Sequence, residues 1–252
     1  MAFRGSRIGA IALVAIVVPT AVLAAAPAPV PYRLVSPAKA LTGRTSAEIA
    51  LLERLNRADR RHLWRLKTVV LPDDWRDGAT AHAPFPLVWS WAIRYPKALA
   101  VSLPGQAFAA YEHGVLVHWG PLSSGRRGAE TPSGLHYLNW RSRGRHSTVD
   151  EEWYMPWYFN FRNRGGVAFH EFALPGLPAS HACVRLLHRD ARWLFDWGEE
   201  WKIDSSGRVV FQKGTPVVLV DDYDFGAPPP WRSVDWLADG VALPVVVDGE
   251  WD

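Results

Sequence analysis

Phe169-His170-Glu171-Phe172-Ala173-Leu174-Pro175-Gly176-Leu177-Pro178-Ala179-Ser180-His181-Ala182-Cys183-Val184-Arg185-Leu186 holds the only cysteine of the 252-residue chain. Within this stretch two histidines and an arginine accompany that cysteine, none more than thirteen residues from it. Thiol chemistry needs a base to take the proton and positive charge to hold the thiolate. His170 and His181 are the candidate bases, and an imidazolium beside the thiol would sustain an ion pair near neutrality. The Pro-Gly-Pro punctuation between them marks a loop that folds Cys183 back towards His170, at the end of a strand expected over 167–170. Backbone N–H groups near Ala182 and Cys183 are candidate donors for an oxyanion. Two other readings remain. A free cysteine is often an inert, buried small hydrophobe. His170, His181 and Cys183 are also zinc-ligand types, but no fourth ligand falls at a conventional spacing.

Outward from this segment the pattern is β-rich. Ala98–Leu103, Gln106–Tyr111 and Val115–Leu122 are short apolar runs separated by Pro104-Gly105 and His113-Gly114, which is hairpin punctuation. Gly165-Gly166 precedes the strand that carries His170, and Val217–Val220 forms a last strand. After Cys183, residues Ala191, Leu194, Phe195 and Trp197 recur at helical intervals and Gly198 is a stop signal. Upstream, Thr45-Ser46-Ala47-Glu48 has capping-box spacing, and Ile49, Leu52, Leu55 and Ala58 share a face, so a helix is expected over 46–63. Leu66–Leu71 reads as a strand and 76–86 as a loop. Many short strands with few helices predict a mainly β domain.

The first residues read differently. Arg4 and Arg7 precede an apolar run from Ile8 to Val18 and then small residues, the layout of a secretory signal ending near Ala24. An uncleaved anchor is the alternative, and only this segment would then meet a membrane. Both readings predict export, to the periplasm or cell envelope. Four prolines over 27–37 make a stiff spacer. The expected organisation is therefore signal 1–24, spacer and accessory segment 25–94, main domain 95–222 and a Pro/Trp-containing tail 223–252. Removing Arg4 and Arg7 from 28 basic residues leaves 26 against 25 acidic ones, too even a balance to argue for nucleic acid. Most of the 14 Trp are expected in the core, with Trp140, Trp153 and Trp157 as candidates for a cleft wall.

Ser180-His181-Ala182-Cys183-Val184-Arg185, with His170 upstream, resembles the signature of the L,D-transpeptidase catalytic domain. Further ordered stretches resemble it too: Pro121-Leu122-Ser123-Ser124-Gly125, Thr131-Pro132-Ser133-Gly134, Met155-Pro156-Trp157-Tyr158 and Gly165-Gly166-Val167-Ala168-Phe169-His170. The resemblance runs from about Tyr95 to Asp221, roughly half the chain. It implies a β-sandwich of that family's type with a short helix after the nucleophile; the small helical segment read before the domain is accessory to it. It also implies that Cys183 attacks a peptidoglycan tetrapeptide stem, giving a thioester that an amine resolves. His170 would be the general base, oriented by the backbone carbonyl of Glu171. Arg185 would lie near substrate or oxyanion, and Ser180 and His181 would support the geometry. No metal or organic cofactor is implied.

Two departures accompany the resemblance. Ala182 stands where the family has glycine, which carries a conformational cost if the position requires positive φ. Nine residues separate His170 from Ser180, fewer than usual. Water as acceptor would make the protein an L,D-carboxypeptidase. Loss of catalysis would leave a wall-binding module of the same fold.

Overall fold

The computed structural model describes residues 30–75, 80–148 and 150–245. The expected signal segment 1–24 lies outside them. Thirteen strands and five α-helices make up the described chain, and the architecture is mainly β. An accessory segment comes first: β1 (Tyr32–Val35), α1 (Pro37–Leu41), α2 (Ser46–Asn56), α3 (Arg60–Leu63) and β2 (Val69–Pro72), with β1 antiparallel to β2. The capping box at Thr45 and Glu48 forms as its spacing predicts. The single helix expected over 46–63 does not: Arg57 adopts φ 56, α2 ends there, and Asp59 caps a separate α3.

The main sheet has nine strands. They are β3 (Lys97–Ser102), β4 (Ala107–Glu112), β5 (Val115–Ser123), β6 (Gly134–Tyr137), β7 (Arg141–His146), β8 (Tyr154–Arg162), β9 (Val167–Glu171), β10 (Val184–Leu186) and β13 (Pro216–Val220). Their order is β6-β13-β3-β4-β5-β10-β9-β8-β7, and only β13–β3 and β9–β10 are parallel pairs. The sheet curls around one core, the sandwich that the family resemblance implies. Helix α4 (His188–Trp197) follows the cysteine segment. The hairpin β11 (Lys202–Ile203) and β12 (Val210–Gln212) stands apart, and α5 (Val234–Asp239) lies in the tail.

Period-two alternation explains the layering. Leu99 and Val101, Phe108 and Ala110, and Val217 and Leu219 enter the inner core with Phe159, Phe169, Val184 and Leu194. Their neighbours Ala98, Ala100, Ala107 and Ala109 face the other way, and their small side chains admit Trp89, Trp91 and Trp119. Trp231 is fully buried as well. Trp89 donates from Nε1 to the Pro244 carbonyl (2.8 Å), so the tail closes over this layer.

The accessory segment is tied to the sheet at three points. Arg57 is fully buried, with its guanidinium near the Trp119 and Trp231 rings, and donates from Nε to the Gly105 carbonyl at 2.8 Å. Burial pushes its pKa down to about 9. Glu53 pairs with Arg189 of α4. Asp59 exchanges bonds with the loop after β9, its N–H donating to the Leu174 carbonyl and its carboxylate accepting from the Leu174 N–H, both at 2.9 Å.

Candidate active site

β9 and β10 run side by side with Phe169 opposite Val184 and His170 opposite Arg185. Alternation sends Val167, Phe169, Val184 and Leu186 into the core. It turns His170, Cys183 and Arg185 to the opposite face, where all three line a cleft of about 440 Å³. Tyr158 and Asn160 of β8 join them, alternating with the core residues Phe159 and Phe161. Trp140, Trp153, Arg145, Ser180 and His181 complete the part of the wall that concerns the chemistry.

His170 is 5% exposed. Its Nδ1 lies 2.9 Å from the Glu171 carbonyl oxygen. A carbonyl only accepts, so Nδ1 carries the proton and Nε2 is left with a lone pair. Burial pushes the His170 pKa down to about 4, helped by the Arg185 charge and opposed by the Glu171 carbonyl. Burial also raises the Cys183 thiol, against the smaller opposing effects of the Ala168 backbone, Arg185 and Arg145. Both shifts favour neutral partners. Both directions run against the ion pair expected near neutrality from the sequence.

The turn before Cys183 is held from several sides. Ala182 has φ 79, so the methyl group sits where glycine is ordinarily preferred. Thr131, from the Thr-Pro-Ser-Gly stretch, donates to the Ala182 carbonyl (2.8 Å) and accepts from the Gly125 N–H (2.8 Å). Ser180 Oγ donates to the Cys183 carbonyl. The Ser124 carbonyl accepts from the N–H groups of Ala179 and Ser180 at 3.0 Å. Buried Gln106 in turn donates to Ser124 Oγ (2.7 Å) and accepts from the Ser124 N–H (2.8 Å). Gly125 admits no side chain, because a Cβ there would lie 2.0 Å from the Ala129 carbonyl oxygen.

The other expected site residues fall as follows. The His181 ring lies 4.9 Å from that of Trp153, tilted by 40°, and 2.9 Å separates the imidazole from an Arg126 nitrogen. Burial, Arg126 and Arg185 all lower its pKa. The Glu171 carboxylate pairs with His188 at 2.8 Å, so this residue serves His170 through its backbone alone. Trp140 and Trp153 wall the cleft, but Trp157 does not. Its φ of 54 interrupts the alternation of β8, and its ring packs edge-on to Phe195 with Arg143 and Arg192 alongside. Among the described residues, no group of three His, Cys, Asp or Glu side chains is placed to hold a metal.

Sequence reasoning passes over Arg145, Tyr158 and Asn160 as cleft residues, and Gln106, Ser124 and Thr131 as supports of the turn. For Tyr158 and Asn160 a signal exists: they alternate with two phenylalanines in Trp157-Tyr158-Phe159-Asn160-Phe161.

Residues 96–219 match the family model YkuD, the L,D-transpeptidase catalytic domain. This segment belongs to that family. Similar solved structures include an L,D-transpeptidase from Xylanimonas cellulosilytica (25% identity, 71% of this chain and 81% of that one, TM-score 0.43). One from Stackebrandtia nassauensis is 20% identical over 52% of this chain and 58% of that one, with a TM-score of 0.42. One from Mycobacterium smegmatis is 16% identical over 50% and 59%, with a TM-score of 0.40. The alignment thus spans less than two thirds of the length of the last two. Among curated proteins, none matches the chain significantly.

Proposed function

We propose that this protein is an exported L,D-transpeptidase that works through a Cys183 thioester on peptidoglycan tetrapeptide stems. The observation that carries the reading is the convergence of Cys183, His170 and Arg185 on one face of the β9–β10 ladder, inside a cleft. Residues 95–222 form the catalytic unit, with 25–94 and 223–252 as its supports and 1–24 as an export signal.

In the resting site the thiol and imidazole are both neutral. A stem peptide that enters the cleft brings its scissile carbonyl to Cys183. The sulfur attacks as Nε2 of His170 takes the thiol proton, and the resulting imidazolium is adjacent to the developing oxyanion. Backbone N–H groups of the Ala182–Cys183 turn, and Arg185, stabilise that oxyanion. The proton then passes to the departing amine of the terminal D-residue, leaving the thioester. An acceptor amine attacks next, with His170 now accepting the proton. Among acceptors a second stem or a protein gives crosslinking or anchoring, and water gives carboxypeptidase activity.

The test is mass spectrometry of the protein after incubation with purified disaccharide-tetrapeptide. The expected result is one adduct equal to the donor less its terminal residue, present in the native protein and missing in Cys183→Ala. An intact Cys183 with no product in solution would instead favour a wall-binding module.

A further inference from the structure

A second cleft of about 340 Å³ adjoins the first. It opens between β6, the edge strand of the curled sheet, and the end of β8, with Trp201 and Lys213 flanking the β11–β12 hairpin. Asn163 lines both clefts and is fixed by the indole of Trp140, whose Nε1 donates to Asn163 Oδ1 at 2.9 Å. A second tie crosses the same divide: Asn139, in the wall of the second cleft, donates to Oδ1 of Asn160 in the first at 2.9 Å. The two clefts are therefore neighbours across a shared, hydrogen-bonded wall.

The lining chemistry is specific. Arg162, Arg164 and Lys213 supply positive charge, and among the described residues no carboxylate lines either cleft. Neither arginine forms an ion pair with a described residue. Trp201 contributes an indole with no aromatic partner among the described residues. Among the described residues, Nε2 of His136, which is 5% exposed, and Nε of Arg162 have no hydrogen-bond partner. A partly buried indole beside forked and point cations suits a ligand that has both a flat C–H face and carboxylates. Arg145 and Arg185 extend the same sign of charge to Cys183. This local field is invisible in a composition that is nearly balanced.

We infer that the Trp201 cleft is a saccharide-and-carboxylate subsite, which holds the sugar-linked end of the donor while the peptide lies over Cys183. The inference rests on the proposed function, because it assumes that the first cleft takes the stem peptide. It makes the protein a reader of glycan-attached stems rather than of free peptides.

The experiment is calorimetric titration of the full chain, as Cys183→Ala to prevent turnover, with disaccharide-tetrapeptide and with the free tetrapeptide. The disaccharide-bearing ligand is expected to bind about tenfold more tightly, one decade being what a single aromatic anchor supplies. Trp201→Ala should reduce that ratio to near one. Arg164→Gln, at an exposed position that does not endanger folding, should weaken the disaccharide-bearing ligand about threefold. A ratio near one in the starting protein would overturn the inference, as would a ratio that neither variant changes. Adduct formation on native Cys183 by the free tetrapeptide is measured separately. If it occurs while the ratio is one, the subsite fails and the proposed function stands. If neither ligand binds nor acylates, the proposed function fails first.

Discussion

His170 sits in β9 and Cys183 just before the adjoining strand β10, but different physics holds each in place. His170 lies within a regular strand, and one backbone carbonyl fixes its tautomer. Cys183 follows a residue in the left-handed region, and hydroxyl groups from Thr131 and Ser180 pin the two successive carbonyls of that turn. The base is set by burial and the nucleophile by a clamp. Changes at the first should therefore show in proton chemistry, and changes at the second in geometry and stability.

The largest effect falls on proton transfer. His170→Ala should slow acyl-enzyme formation by about 10²- to 10⁴-fold, the usual contribution of a positioned base. Alkylation of Cys183 by a neutral reagent should behave otherwise. With the thiol raised and the imidazole lowered, its rate should climb only above the ordinary thiol range, and His170→Ala should alter it little. A low-pH shoulder that vanishes in His170→Ala would restore the ion pair and break the contrast between burial and clamp.

Next comes pH-dependent stability. The His170 pKa is about 4 in the fold, below its ordinary 6.5. The unfolded chain therefore binds more protons between those values, and stability rises with pH across them. The contribution is complete above pH 6.5 and is lost as pH falls to about 4, amounting to at most roughly 3.4 kcal/mol. Chemical denaturation from pH 7 to 4 should show a flatter decline for His170→Gln than for the native protein. Parallel curves would mean that the imidazole is better solvated than its burial implies.

Much of this arrangement is legible in the amino-acid sequence. β3, β4, β5, β9 and β13 announce themselves because Gly and Pro punctuate apolar runs of strand length. β7 and β8 do not. β7 is Arg141-Ser142-Arg143-Gly144-Arg145-His146, an edge strand without an apolar face. β8 contains Pro156, which is tolerated because β9 pairs only with its far end, from Phe159 to Arg162. The break at Arg57 is hidden because the apolar period continues through Ala58. In the site, Cys183 and His170 are legible by their local motif. Thr131, Ser124 and Gln106 are not legible as a clamp, since their partners lie 51, 56 and 18 residues away. Trp157 is the misleading position, because alternation does not reveal a positive φ.

The clamp itself sets the third scale. Thr131→Val keeps the shape but leaves the Gly125 N–H and the Ala182 carbonyl without their partner. Unsatisfied buried groups cost about 1–3 kcal/mol each, so an overall loss of about 2 kcal/mol is expected in denaturant titration, with some of it relieved by relaxation. Thr131→Ser should restore most of it. If Val and Ser variants are equally stable, the hydroxyl is not what holds the turn.

The smallest effect is expected at Ala182, where three contributions nearly cancel. Glycine would remove the left-handed strain of an alanine at φ 79, worth about 1–2 kcal/mol. It would also add unfolded-chain entropy, costing about 0.5–1 kcal/mol. Finally it would delete a methyl group that packs against the inner core, a contact worth up to about 0.8 kcal/mol. The net change in stability of Ala182→Gly should stay within about 1 kcal/mol. Acylation should follow the same logic. Thr131 and Ser180 hold the carbonyls on both sides of the turn, so its geometry does not depend on which residue occupies position 182. The strain is present before and after acylation and cancels from the barrier, leaving the rate within about threefold of native, or about 0.65 kcal/mol. The measurement is the rate of adduct growth by mass spectrometry, paired with a denaturant midpoint. A rate that falls tenfold with an unchanged midpoint would assign the methyl group a part in shaping the cleft. A rate that rises tenfold would mean that the strain is borne only before the sulfur attacks, and the clamp would then be storing it rather than merely enforcing a shape.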